Sequence, residues 1–520
     1  MPNLIPRLDF DPCESALSFA ARLAAFHTGG RATPVLRDLG IAPMSLVSGE
    51  PDAIARLCEV SGADLAMVRA TTPARVAKRA YELRGHVLPA EFFVRPRTSC
   101  CPACLKADDA RAADPAMARR HRWFWALDVV RTCPEHGLPL IRLPKTAHDD
   151  ELHELGVRAP APGVDLDAEI AGLSPREVSP LQAYVLGRLE GQAGPDWLDA
   201  QPLDQVVRAA ELLGAVMVFD PARNLATMTE EEREEAGRAG YERMAQGVAG
   251  VRAALEALYE DFHAGGGNPG PQKVFGRLYT AMSGRRGSGR HGELAGVLRD
   301  FILDRFALPA GTKVLGQVLE RRLNHTVASL AAEQDLDART LRQVLVARGL
   351  VAAEAEPHQP FDADAGRAIA ATVRRSVTVI KLPEALGCSR PLAGQLIEEG
   401  LIIPIAADAQ ASGRACKAVD AEDVRRFLES IGRAAPAVAE NPAGLVPIGK
   451  ASEKAKSPAV EIVHLILGGF LDRVVRLDGE HGLAALRVDP VEVKSVIGEV
   501  MIGLSPGEAF NRLRIPNRSG

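Results

Sequence analysis

Apolar residues recur every three to four positions along much of the 520 residues, two pairs of metal-type ligands sit at a two-residue spacing between Cys101 and His136, and two helix-turn-helix cadences follow residue 320. Together these predict a mainly α, multi-domain protein: an N-terminal helical domain carrying a zinc finger, then a helical region, then tandem helix-turn-helix modules. The length suits about three to four domains. A hydrophobic share of 47% and a charged share of 25% are those of folded, soluble structure. No run of about 18 apolar residues marks a membrane span. Met1-Pro2-Asn3-Leu4-Ile5-Pro6 has neither the basic start nor the apolar stretch of a signal peptide. Eight cysteines in a chain of this length are no disulfide framework; the scattered ones, Cys13, Cys58, Cys388 and Cys416, suit a reducing cytoplasm.

Residues 1–145 are expected as the N-terminal domain. The stretch 14–24 puts Leu17, Ala20, Ala21 and Ala24 on one helical face, and Gly29-Gly30 ends that helix. Short helical pieces follow over 34–39 and 52–57. Residues 53–68, with Gly62 at the turn, have the cadence of two helices meeting across a glycine; this pair is read either as a DNA contact or as the core of a small bundle. Residues 76–100 are basic and aromatic, with Lys78, Arg79, Arg84, Phe92, Phe93, Arg95 and Arg97.

At about 98–140 lies the most informative stretch. Cys101-Pro102-Ala103-Cys104 opens it and Cys133-Pro134-Glu135-His136-Gly137 closes it. Two thiolates at this spacing hold one side of a tetrahedral ion, and the Cys/His pair supplies the other. Three thiolates and one imidazole make a closed structural Zn2+ site with no position left for a reacting water. The candidate ligands are therefore Cys101, Cys104, Cys133 and His136. Three alternatives stand beside this: buried thiols meeting by chance, a redox dithiol, which needs a helix start in a βαβ setting absent here, and Cys100 substituting for Cys101. The 28 residues between the pairs exceed ordinary finger spacing, so a helix is expected inside the loop. The loop carries Arg119-Arg120-His121-Arg122-Trp123-Phe124-Trp125, which makes Arg119, Arg120 and Arg122 candidates for DNA contact. Residues 138–144 are a short extended run limited by prolines.

Residues 146–180, rich in Pro, Gly and Asp, read as a linker. Residues 181–310 read as a helical domain, since Leu181, Val185, Leu186 and Leu189, then Val206, Val207, Leu212, Leu213 and Val216, repeat at helical spacing. Glu230 to Glu235 is a solvated helix start. Residues 265–271 break the chain. Residues 284–290 form a flexible basic loop, read as solvated or as brushing phosphates; with no Gly-Lys-Ser/Thr after it, it is no phosphate-cradling loop.

Residues 311–432 are the tandem helix-turn-helix region. Within 327–345, Leu330, Ala331, Leu336, Leu341 and Leu345 turn inward, and Asp337, Arg339, Thr340, Arg342 and Gln343 face outward on the second helix, where groove contacts are made. Within 380–397, Gly387 supplies the turn, and Ser389 caps a second helix that has Pro391 in its first turn. Its outward face offers Arg390 and Gln395. The candidate DNA contacts here are thus Arg339, Thr340, Arg342, Gln343, Ser389, Arg390 and Gln395, although such helix pairs also serve as protein-docking modules. Residues 433–458 read as a second linker and 459–520 as a small C-terminal domain. In the latter, 478–490 reads as a short strand before a helix, and 503–515 as the opening of a truncated third helix-turn-helix.

Net charge is −5, but it is unevenly placed. Residues 69–145 hold 15 Lys/Arg against 7 Asp/Glu, residues 149–261 hold 9 against 23, and residues 273–348 hold 13 against 7. The two basic blocks suit phosphates. The acidic block between them would repel phosphates and is expected to meet protein or solvent.

Glu14-Ser15…Ser18-Phe19…Arg22-Leu23-Ala24, then Cys101-Pro102-x-Cys104, Arg122-Trp123…Trp125 and Cys133-Pro134-x-His136-Gly137 with Leu138 and Leu140, resemble the TniQ/TnsD family of transposition targeting proteins. The resemblance covers roughly residues 4–145; the downstream helix pairs are similar to the longer members, less specifically. It implies an all-helical protein with a zinc-finger domain and no catalytic role. It also implies partners: target DNA or a guide complex, an AAA+ transposition ATPase of the TnsC/TniB kind, and the transposase that this ATPase regulates. A cytoplasmic, nucleoid-associated location with no membrane follows from the same resemblance. A transcriptional regulator unlinked to transposition would use the same DNA-binding parts. An enzyme would need an open metal position such as His-Glu-x-x-His, and His148 to His153 has the wrong spacing for it.

Overall fold

Five short helices build the N-terminal part, because each gathers its apolar side chains on one side. They are α1 Ala16–Thr28, α2 Ala32–Asp38, α3 Pro43–Val47, α4 Pro51–Ser61 and α5 Leu65–Ala70. Ser15 caps α1 by accepting from the Ser18 N–H, and Gly29 ends it in the left-handed region at φ 62°. Phe19, Leu23, Leu36, Ile54, Leu57 and Val68 meet in one core. The α4–α5 pair, which turns at Gly62, is thus part of a small bundle. The computed structural model describes residues 4–159, 164–264, 270–284, 289–406 and 417–500. Most of the expected chain break at 265–271, most of the basic loop at 284–290, Cys416 and the tail at 503–515 lie outside these.

A three-stranded antiparallel sheet follows: β1 Ala74–Ala77, β2 Ala80–Leu83 and β3 His86–Pro89. Arg84 and Gly85, at φ 51° and 82°, make the tight turn between β2 and β3. β4 Thr98–Cys100 pairs antiparallel with β5 Ile141–Leu143. Between them run α6 Pro102–Asp109 and α7 Pro115–Ala118, so the loop contains the expected helix and a second short one. The stretch read as a linker is also structured, with α8 Leu155–Arg158, α9 Leu166–Ala171 and a 3-10 turn at His148–Leu152. Leu152 lies in the N-terminal core, so this stretch packs where a bare linker would be solvated.

The helical region comprises α10 Pro180–Leu189, α11 Asp196–Asp199, α12 Leu203–Val218, α13 Glu230–Met244, α14 Gly247–Ala264, α15 Pro271–Ser283 and α16 Leu294–Arg305. α13 opens with a capping box between Thr229 and Glu232. α12 and α13 cross backbone against backbone: a Cβ on Gly214 would stand 1.8 Å from the Ala236 carbonyl oxygen, and one on Gly240 would stand 1.9 Å from that of Ala210.

The acidic block meets the basic one in this same unit. Arg131, 3% exposed, lies 2.6 Å from Glu211. Arg142 lies 3.2 Å from Glu230; within the acidic block itself, Arg176 lies 2.9 Å from Glu234. Asp128 is approached in turn by Arg97, Arg142 and Arg233. Part of the positive surplus of residues 69–145, at Arg97, Arg131 and Arg142, is therefore matched by carboxylates of the acidic block.

By contacts the chain divides into two units: Met1–Leu303 with Gly311–Leu319, and Asp304–Ala310 with Glu320–Gly520. The first includes the small hairpin β6 Lys313–Val314 and β7 Gln317–Val318. The second is built from one motif used three times. In the first copy, β8 Asn324–His325 leads to the helix pair α17 Val327–Gln334 and α18 Ala338–Ala347, then β9 Phe361–Asp362 and α19 Ala363–Arg374. In the second, β10 Ser376–Val377 leads to α20 Leu382–Leu386 and α21 Arg390–Glu398, then β11 Val419–Asp420 and α22 Ala421–Ala434. After strand β12 Ala437–Val438, which pairs parallel with the later strand Val474–Leu477, the third runs from β13 Val446–Pro447 through α23 Ile448–Ala455 and α24 Ala459–Leu467. It continues with β14 Val474–Leu477, β15 Leu486–Val488 and α25 Pro490–Val500.

The three copies share registers and caps. β8 pairs antiparallel with β9, β10 with β11, and β13 with β15. In each copy the last of these strands leads directly into an aspartate whose carboxylate caps the third helix: Asp362 accepts from the Ala365 N–H, Asp420 from that of Glu422, and Asp489 from that of Val491. The third copy begins inside the stretch expected as the 433–458 linker, where Ile448 and Ala451 are buried. It is complete without the tail at 503–515 on which the third helix-turn-helix was expected.

Candidate metal centre

The β4–β5 pairing brings the two halves of the Cys/His stretch together. Cys101 follows β4 and caps α6, which carries Cys104 in its first turn. Cys133 and His136 lie on a knuckle closed by the Gly137 N–H donating to the Cys133 carbonyl at 2.9 Å. Gly137 has φ 63°, which a side chain would strain. The ligand atoms of Cys101, Cys104, Cys133 and His136 all lie within 4.8 Å of one another. His136 Nδ1 stands 3.3 Å from Cys104 Sγ, 3.7 Å from Cys133 Sγ and 3.9 Å from Cys101 Sγ, and the Cys104 and Cys133 sulfurs are 3.6 Å apart. Zinc–sulfur bonds of about 2.3 Å and zinc–nitrogen bonds of about 2.0 Å in a tetrahedron require ligand separations of roughly 3.5–3.8 Å. The four residues fit a single ion. A disulfide, with sulfurs about 2.0 Å apart, does not fit that 3.6 Å separation.

Three thiols this close share protons. The neighbouring Cys104 and Cys133 thiols hold Cys101 well below the ordinary thiol range and push Cys104 up. Cys100 is buried and outside the set, its thiol pushed up to about 12 by burial.

Around the cluster, the residues that carry the family resemblance touch one another. The Glu14 carboxylate accepts from the Ser18 hydroxyl at 3.0 Å and pairs with Arg22. The Ser18 hydroxyl accepts from the His121 N–H at 2.9 Å, and Arg22 Nε donates to the Met117 carbonyl at 3.0 Å. The start of α1 is thereby stitched to the segment ahead of Trp123. Arg119, Arg120 and Arg122, expected as DNA contacts, are used here instead. Arg119 is 5% and Arg122 4% exposed. Arg119 pairs with Asp109 at 2.7 Å, Arg122 pairs with Asp108 and lies over the Trp125 ring, and Arg120 lies 3.0 Å from Asp11. The guanidiniums of Arg119 and Arg122 are buried and held by carboxylates, away from any phosphate, and that of half-buried Arg120 is held by Asp11 and Asp108.

His153 turns inward onto His121, with the rings stacked 4.9 Å apart, and its Nδ1 lies 2.8 Å from the Thr98 hydroxyl. Burial, with Arg122 and Arg95 nearby, lowers His121 from 6.5 to about 3; burial and His121 itself lower His153 well below 6.5. Both imidazoles are neutral in the fold, whereas the unfolded chain takes up protons near pH 6.5. Stability from this pair is complete above pH 6.5 and is lost as pH falls toward 3. Urea unfolding at a series of pH values should show a shallower acid loss for His121→Gln than for the wild type, and equal slopes would assign the acid sensitivity elsewhere.

The helix pairs form where they are expected. Arg339 and Arg390 are exposed, Thr340, Gln343 and Gln395 are half-buried, and Ser389 caps α21. Arg342 instead donates to the Ala353 and Ala355 carbonyls at 3.0 and 2.8 Å, tethering the segment after α18. No helix among the described residues is long and apolar enough to cross a membrane.

A helical domain is thus stitched to a Cys3His cluster, and helix pairs follow it along the chain. Residues 5–140 match the TniQ family model. No curated protein matches the chain.

Proposed function

We propose that the protein is a non-catalytic adaptor of transposition that holds a structural Zn2+ ion on Cys101, Cys104, Cys133 and His136. It binds target DNA through its helix-turn-helix pairs and recruits an AAA+ ATPase through the TniQ domain. The observation that carries this reading is the TniQ domain itself, folded around four convergent ligands. Four protein donors fill a tetrahedral ion, so the metal would fold the chain and would not activate water. The DNA contact is assigned to Arg339, Thr340 and Gln343 on α18, and to Ser389, Arg390 and Gln395 on α21, because groove-reading residues sit near the start of the second helix. The location that follows is cytoplasmic, on the nucleoid.

Arg339→Ala should weaken DNA binding and flatten its salt dependence by about one phosphate contact. An unchanged affinity and slope would make the first helix pair a protein-docking module. Affinity capture from the native cell tests the partner: an AAA+ ATPase retained with the protein supports the adaptor, and DNA retained without it supports a transcriptional regulator.

A further inference from the structure

The three copies of the motif are not equivalent. In the first, α18 buries Leu341, Val344 and Leu345 and leaves Arg339 exposed. In the second, α21 buries Leu392, Ala393 and Leu396 and leaves Arg390 exposed. The corresponding helix of the third copy, α24, buries Val460, Ile462, Val463, Leu465 and Ile466. It packs against α21 and α22 of the second copy, and residues of both copies form one core. Its two polar side chains have protein partners, with Glu461 half-buried and His464 still exposed. Glu461 accepts from the Ser457 hydroxyl, and His464 Nε2 lies 3.9 Å from Glu399 next to α21. A helix buried over most of its circumference, with His464 its one exposed side chain, offers little to a DNA groove.

The loop between β14 and β15 gives an independent indication. It is docked on the turn of the second helix pair: His481 Nε2 is 3.0 Å from the Ala385 carbonyl oxygen. A Cβ on Gly387 would stand 2.2 Å from the His481 carbonyl oxygen. The second helix and the hairpin tip of the third copy, its two elements shaped to lie on a duplex, are both seated on the second copy.

We propose that the array takes duplex DNA with its first and second copies only, and that the third copy is a brace that holds the second helix pair from behind. This rests on the DNA reading above and adds which surfaces carry it. The probe is a pool of random-sequence duplexes of about 40 base pairs, several helical turns, from which the full-length protein selects its bound fraction. Arg339→Ala and Arg390→Ala should each weaken binding of the selected duplex roughly tenfold. Lys450→Ala/Lys454→Ala, on the exposed side of α23, should leave it unchanged. His481→Ala should weaken binding in the wild-type background and add nothing in the Arg390→Ala background. A tenfold loss in the lysine variant would overturn the two-copy count, and additive effects of His481→Ala and Arg390→Ala would overturn the brace. A wild-type protein that retains no duplex would remove the DNA reading, and this inference with it.

Discussion

Cys104→Ser is expected to strip the metal from the protein and unfold the region between β4 and β5. A structural zinc on thiolates contributes on the order of 10–16 kcal/mol at neutral pH, as much as the whole stability of a typical domain, about 5–15 kcal/mol. The secondary structure here is two three-residue strands, an eight-residue helix, a four-residue helix and a four-residue 3-10 turn. Such pieces do not hold themselves together in water. Purified wild type should carry close to one zinc per chain by mass spectrometry, and a strong chelator should reproduce the effect of Cys104→Ser in near-ultraviolet circular dichroism. Cys100→Ser is the internal control: outside the ligand set, it should keep the metal. Wild-type protein that is folded and free of metal would sink the zinc assignment, and loss of the ion in Cys100→Ser would exchange Cys100 for Cys101.

Asp108→Ala should cost about 3–5 kcal/mol, because removing one partner of a buried ion pair leaves the other charge uncompensated. Asp108 is fully buried and accepts from the Arg120 N–H at 2.9 Å, from the Arg120 guanidinium at 3.4 Å and from both terminal nitrogens of Arg122. Arg122 has no solvent to turn to. In a folded unit of this size the loss corresponds to a fall in melting temperature of roughly 10 °C, read by calorimetry. Asp108→Asn, which keeps the shape and an acceptor oxygen, should lose less. An Asp108→Ala protein as stable as the wild type would show that the pair has no net worth and would reopen the question of what Arg122 does.

The ligand set was legible in the sequence because a two-residue spacing fixes two donors locally, whatever the distant fold. The first two helix pairs were legible because their second helices are buried on one side only, which writes a period near 3.6 into the sequence. The third was not, because α24 is apolar almost all round and carries no such contrast; only its cap, Val488-Asp489, repeats Val419-Asp420. The sheet at 74–89 was missed although Arg84-Gly85 marks its turn, since its strands are only four residues long. The arginines of 119–122 misled for a different reason. A charge count sees Asp108 and Asp109 as two residues among many, and pairing across 10 to 14 positions is set by how α6 and the following segment pack.

Gln182 carries the folded unit past the family match. Its side-chain oxygen accepts from the Arg131 and Thr132 N–H groups at 3.0 and 3.1 Å, and its nitrogen donates to the Thr132 carbonyl at 2.6 Å. It takes the place of a missing neighbour strand beside the Cys133 knuckle, from a helix some 40 residues past the family match. Ancestry and autonomy therefore have different borders in this chain. The family match stops at residue 140, but a fragment cut there would expose three backbone groups next to the candidate ligands, and only a piece that keeps α10 retains them satisfied.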